Sequence, residues 1–142
     1  MRVFKIQNAN IVKLFIRRVR WDSMTQLQKQ IDARVGAAVE AWVGDRSYVK
    51  PLVTLAEIAG DVGVPSDLLS AYIHLHERKH VLAWRKELRI RDAQEMLLAF
   101  PDLPLSVVGE MVGIQDKSNF KRQFTELVGV SPREWRNRHR PE

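Results

Sequence analysis

The chain has 142 residues, 45% hydrophobic and 28% charged, with no cysteine and a formal net charge of +6. That length folds as one domain, or two very small ones, around a core burying about two thirds of the unfolded surface. The lack of cysteine excludes disulfides, thiolate catalysis and cysteine zinc sites, and is compatible with a reducing cytosol.

No apolar run approaches the roughly 18 residues that cross a bilayer, and polar residues interrupt the start too often for a signal peptide. A soluble, cytoplasmic protein is the expectation. The basic balance points to a polyanion, nucleic acid or an acidic membrane surface. The charge is uneven: residues 1–22 carry six basic residues and one acid, 23–77 carry four and seven, and 78–142 carry thirteen and nine. The body from residue 23 onward is therefore nearly neutral.

Residues 1–22 interleave apolar side chains with cations and fit no clean period. Three readings stay open for them: an amphipathic arm lying on a membrane or partner, the start of a chain continuing upstream, or a leader packed on the domain. From Thr25 the pattern is helical, with capping-box spacing to Gln28 and with Ile31, Val35, Ala38, Val39 and Trp42 on one face. Gly44-Asp45 and Pro51 end that helix. Thr54 caps a helix to Val62, and Pro65-Ser66 opens another to about His76. A long helix is predicted over 81–100, with Leu88, Ala93, Met96, Leu97 and Phe100 as its stripe and Pro101 as its stop. Helices over 105–112, 117–127 and 132–138 follow, the last with Ser131 as N-cap, Pro132 at the first position and Glu134 as box partner. No alternating strand pattern emerges, and the fold class is all-α.

The segment LAEIAGDVGV at 55–64 lies over LSVVGEMVGI at 105–114 with a constant offset. Each copy has a small residue (Ala59, Gly109) four positions before a glycine (Gly63, Gly113), and each glycine precedes a new helix. The small residue permits a close helix crossing and the glycine supplies the turn, as a helix-turn-helix requires. Beyond the glycine, Leu69 matches Phe120 and Ile73 matches Phe124, so the second turn is one residue longer.

In the stretch VGIQDKSNFKRQFTELVGVSPREWR, Gly113, Asp116, Ser118, Phe120, Arg122, Phe124, Gly129, Ser131, Pro132, Trp135 and Arg136 resemble the DNA-binding domain of AraC/XylS-type bacterial transcription regulators. The long-helix segment LRIRDAQEMLL is also similar, and the resemblance spans about 31–138. It implies two helix-turn-helix subdomains, 23–80 and 101–142, joined by a linker helix at 81–100, with 1–22 a leader of unknown role. It further implies double-stranded DNA as partner, and RNA polymerase and a sensing or dimerisation domain outside this chain as further partners of such regulators. No cofactor, metal or catalytic residue follows from it. The chain is then the DNA-binding part of a longer protein, a stand-alone regulator or the output end of a membrane-anchored sensor.

In a helix-turn-helix the second helix enters the major groove, and a monomer with two such helices reads successive grooves about 34 Å apart. With Phe120 and Phe124 facing the core, the base-reading candidates of the second unit are Lys117, Ser118, Asn119, Lys121, Arg122 and Gln123. Lys and Arg suit guanine, and Asn and Gln suit adenine. Asp116 either accepts from cytosine or caps the helix. In the first unit, Leu68 or Leu69, Tyr72 and Ile73 are the buried set, and Ser66, Asp67, Ser70, Ala71, His74 and Glu77 the exposed one. Of these, Ser66, Asp67, Ser70 and His74 are candidates for base contact. This unit departs from the family, which commonly has a basic residue where Ala71 stands and a glycine near Arg78, so it is expected to contribute less affinity. Phosphate contacts are expected from Thr54, Ser106 and Ser131 at helix starts, and from Arg78, Lys79, Arg89, Arg133 and Arg136.

Two competing readings have a basis in the sequence. His76-Glu77-Arg78-Lys79-His80 spells the H-E-x-x-H of zinc metalloproteases, in which one helix presents both imidazoles to zinc. Its intervening cations repel Zn²⁺, and no third histidine follows before His139. Alternatively, the helical body binds a protein while the basic leader lies on a membrane.

Overall fold

The computed structural model describes residues 25–141; the leader and its proposed membrane contact lie outside them. Among the described residues there are seven α-helices and no strand. They form two compact units, one of residues 25–45 with Leu52–Trp84, the other of Arg46–Pro51 with the chain from Arg85 onward.

In the first unit, α1 (Gln26–Gly44) begins with a complete capping box. Gln28 N donates to Thr25 Oγ1 at 3.2 Å, and Thr25 N donates to the Gln28 side chain at 2.8 Å, so two otherwise orphaned N–H groups are satisfied. Helices α2 (Leu55–Val62) and α3 (Ser66–Glu77) follow, and all three pack on one another. The core takes Val35, Val39 and Trp42 from α1, Ile58 and Ala59 from α2, and Leu69 and Ile73 from α3. Ile31 stays 39% exposed: α3 meets α1 at Asp32, one residue on, and the first turns of α1 extend past it. Trp42 donates its indole N–H to Asp61 at 2.8 Å and stacks on Trp84 with centroids 5.6 Å apart, so the polar end of a buried aromatic is satisfied.

Helix α4 (Val81–Ala99) contributes Val81 and Trp84 to the first unit, and its remainder belongs to the second. There Ile90, Ala93, Met96 and Leu97 pack with Val108 from α5 (Leu105–Met111), Phe120 and Phe124 from α6 (Lys117–Val128), and Val112 and Ile114 between those helices. Trp135 of α7 (Pro132–His139) closes the cluster. Phe100 does not extend the stripe: α4 ends at Ala99 ahead of Pro101, and Phe100 lies past the helix, 56% exposed.

Arg46–Pro51 includes a 3₁₀ turn at Ser47–Val49 that the sequence pattern does not announce. Arg46, in the left-handed region at φ 55°, forms an ion pair with Asp92 of α4 at 2.7 Å, and the Tyr48 hydroxyl donates to the same carboxylate at 2.7 Å. From α4, Arg89 donates to the carbonyls of Tyr48 at 2.6 Å and Lys50 at 2.9 Å. A guanidinium fork on backbone acceptors fixes the middle and the later part of the segment.

Candidate nucleic-acid interface

The second unit supplies the clearest surface. Gly113 turns the chain at φ 92°, and Ile114 N donates back to Gly109 O at 2.8 Å. A Cβ on Gly109 would stand 3.0 Å from both Ile114 O and the Phe120 ring, which explains the small residue at that crossing. Asp116 then caps α6 by accepting from Asn119 N at 2.7 Å, so the open choice for this residue resolves to a cap. Phe120 and Phe124 are buried edge-to-face at 5.9 Å, and Phe124 meets Trp135 in the same manner at 6.2 Å.

With that face committed to the core, Lys117, Ser118, Lys121 and Arg122 are exposed, and Asn119 and Gln123 are half-buried beside them. The six expected readers thus lie around the arc of one helix left open by the buried Phe120 and Phe124, Lys117 and Lys121 on one flank and Asn119 and Gln123 on the other. Asn119 Oδ1 accepts from Arg122 at 2.6 Å and from Gln123 at 3.0 Å, linking three of them. The set offers donors for guanine O6/N7 and amide groups for adenine N6/N7.

The first unit repeats the scaffold with a different face. Gly63 turns at φ 89°, Leu69 and Ile73 are fully buried, and Leu68 is the exposed member of its pair. Asp67 is exposed, and Ser66 and His74 are half-buried. The expected exposure of Ser70 is wrong: it is 8% exposed, set among Leu55, His80, Val81 and Leu82, because the start of α4 returns across it. Ala71 is buried as well, at 3%. Tyr72 and His76 face α1, where the Tyr72 hydroxyl occupies the space a Cβ on Gly36 would need and His76 Nε2 lies 2.9 Å from Asp32. Burial and the nearby carboxylates of Asp32, Glu40 and Glu77 push the Tyr72 phenol upward.

The H-E-x-x-H string does not form the metalloprotease arrangement. Helix α3 ends at Glu77, Arg78 takes the left-handed conformation at φ 57°, and His80 lies beyond the break, off any helical face shared with His76. Among the described residues no group of three or more metal-ligating side chains converges, and no helix is long and apolar enough to cross a membrane.

The phosphate candidates separate by placement. Thr54 and Ser131 are N-caps, accepting from Glu57 N at 3.1 Å and Glu134 N at 3.2 Å. Ser106 is not a cap: Pro104 holds that position, with no side-chain hydrogen bond, and Ser106 sits inside the first turn of α5. Arg133 and Arg78 are exposed and Lys79 is half-buried. Arg136 donates to the Leu103 carbonyl, and burial next to Arg140 lowers its pKa. Burial, with Arg85 nearby, brings Arg89 down to about 10, which leaves it charged at neutral pH. Both these arginines face inward to backbone carbonyls, whereas Lys117, Lys121, Arg122 and Arg133 face outward.

Sequence reasoning missed the residues that brace the turn. A Cβ on Gly113 would stand 2.5 Å from Val49 O, so the Arg46–Pro51 segment, held by Asp92 and Arg89, lies directly against the second helix-turn-helix. Asp92, the acid directly after Arg89 and Arg91 in α4, was a sequence signal for it.

A comparison with family models matches residues 58–138 to a helix-turn-helix domain of the AraC type. The chain belongs to that family. It is a DNA-binding module of the transcription-regulator kind. Among solved structures, the C-terminal domain of AraT, a response regulator from Geobacillus stearothermophilus, is 24% identical, with 76% of this chain and 87% of that one covered and a TM-score of 0.66. A transcriptional regulator with an AraC-type DNA-binding domain from Chromobacterium violaceum is 19% identical, covering 80% and 96%, at 0.63. The C-terminal domain of the two-component response regulator yesN from Fusobacterium nucleatum is 19% identical, covering 79% and 99%, at 0.55. These likenesses establish the AraC-type fold. A comparison with curated proteins finds no match.

Proposed function

We propose that this chain reads double-stranded DNA sequence-specifically for a bacterial regulator in the cytoplasm, by placing α6 and α3 in successive major grooves. The observation that carries this reading is the outward face of α6, where Lys117, Ser118, Asn119, Lys121, Arg122 and Gln123 sit together over a core fixed by Phe120 and Phe124. Base edges are the role of these six, with Arg122 or Lys121 on guanine and Asn119 or Gln123 on adenine. Ser66, Asp67 and His74 make the lesser contribution of α3, where buried Ser70 and Ala71 leave the middle of the helix without a long polar side chain. Thr54, Arg78, Lys79, Ser131 and Arg133 hold phosphates. RNA polymerase and a sensing or dimerisation domain outside this chain are its further partners.

Selection of duplexes from a random pool, followed by affinity measurement over a salt series, tests the reading. A single enriched motif is expected, with a salt slope for the body from residue 23 onward set by only a few neutralised phosphates because that body is nearly neutral. A pool that emerges without any preferred sequence contradicts it.

A further inference from the structure

Between α6, the start of α5 and the start of α7 lies a groove of about 380 Å³. Its apolar lining comes from Leu105, Pro132 and the little of Phe120 that the core leaves uncovered. Its rim carries Lys117, Lys121 and Arg133, and no carboxylate lines it. The volume falls in the range of small-molecule sites, which combine apolar walls with a few placed polar groups. Three cations around an apolar floor with no compensating anion form a site whose complement is negative at one end and apolar at the other.

We propose that this groove binds a small organic anion with a flat apolar body, an aromatic carboxylate or sulfonate, and that its occupation opposes DNA binding. The apolar body lies on Leu105, Phe120 and Pro132, and the acid group meets the lysines and Arg133. Inorganic phosphate would use the cations and leave the floor wet. The regulatory half rests on the DNA reading above: Lys117 and Lys121 stand on the face of α6 assigned to DNA, so ligand and duplex compete for the same ammonium groups. By linkage, each weakens the other by the same factor.

The test is a fluorescence titration of the full chain with anilinonaphthalene sulfonate, set against its neutral counterpart phenylnaphthylamine. It is run on the wild type and on the folded double variant Lys117→Gln/Lys121→Gln. One saturable sulfonate site is expected, about tenfold weaker in the double variant, with no comparable binding of the neutral amine and with release of the probe by saturating selected duplex. Equal sulfonate affinity in both proteins, equal binding of the neutral amine, or undiminished probe binding at saturating duplex overturns the proposal. Failure to bind any duplex overturns the DNA reading instead, and the direct titration still judges the groove.

Discussion

The guanidinium of Arg122 donates to the side-chain oxygen of Asn119 across one turn of α6, at 2.6 Å. Gln123 donates to the same oxygen at 3.0 Å, so two longer readers are held by a shorter one before any base arrives. Holding flexible side chains in a bound-like arrangement lowers the entropy lost on association. Asn119→Ala is therefore expected to cost about 1–3 kcal/mol of affinity for a selected duplex. A double-mutant cycle with Arg122→Ala should show coupling of at least about 0.5 kcal/mol, and simple additivity would refute the linkage.

The two turn glycines share nearly the same φ but not the same surroundings. A Cβ at Gly63 meets nothing within 4 Å, whereas one at Gly113 would stand 2.5 Å from Val49 O. Gly63→Ala should cost only the left-handed penalty of about 1–2 kcal/mol. Gly113→Ala adds a backbone clash and should cost about 3 kcal/mol or more. Urea denaturation of both variants checks the order; equal losses would mean that the Arg46–Pro51 segment does not press on the turn.

Arg78 closes α3 in the left-handed region at φ 57°, the conformation glycine adopts freely. Arg78→Gly should therefore raise stability by about 0.5–1 kcal/mol while weakening DNA uniformly across sequences, if the side chain holds a phosphate. Thermal unfolding and a salt series read the two effects separately, and a loss of stability would count against the strain.

Tyr48 ties the bracing segment to Asp92, and its phenol is pushed up from 10.0 to about 12, first by burial and then by its hydrogen bond to Asp92. A pKa raised on folding means that the folded state holds its proton longer, so this contribution is complete below pH 10 and is lost as pH rises from about 10 to about 12. The loss is on the order of 2 kcal/mol. Tyr48→Phe should cost about 1–2 kcal/mol at neutral pH. The gap between wild type and variant should then narrow above pH 10, as followed by denaturant midpoints; a gap independent of pH would contradict the assignment.

Helix limits were legible because the chain marks them chemically. Thr25/Gln28 form the expected capping box, Thr54 caps its helix and adds a box with Glu57, Asp116 and Ser131 cap α6 and α7, and the repeated glycines take the positive φ their spacing implied. Contacts made across long sequence separations were not legible. A helical wheel gives the face of Ser70 but not the strand of chain that returns over it, and an arginine code does not tell whether the fork faces solvent or a carbonyl, as with Arg89 and Arg136. Ser106 had cap chemistry two residues too late, and the His76–His80 string had the right letters on a helix that stops between them.

Base reading by α6 is probed by Arg122→Ala measured against every single-base variant of the selected duplex. The expected result is a loss of about 1–3 kcal/mol on the selected site and relaxed preference at one base pair, with other positions still discriminated. Unchanged affinity and unchanged preference at every position would contradict it.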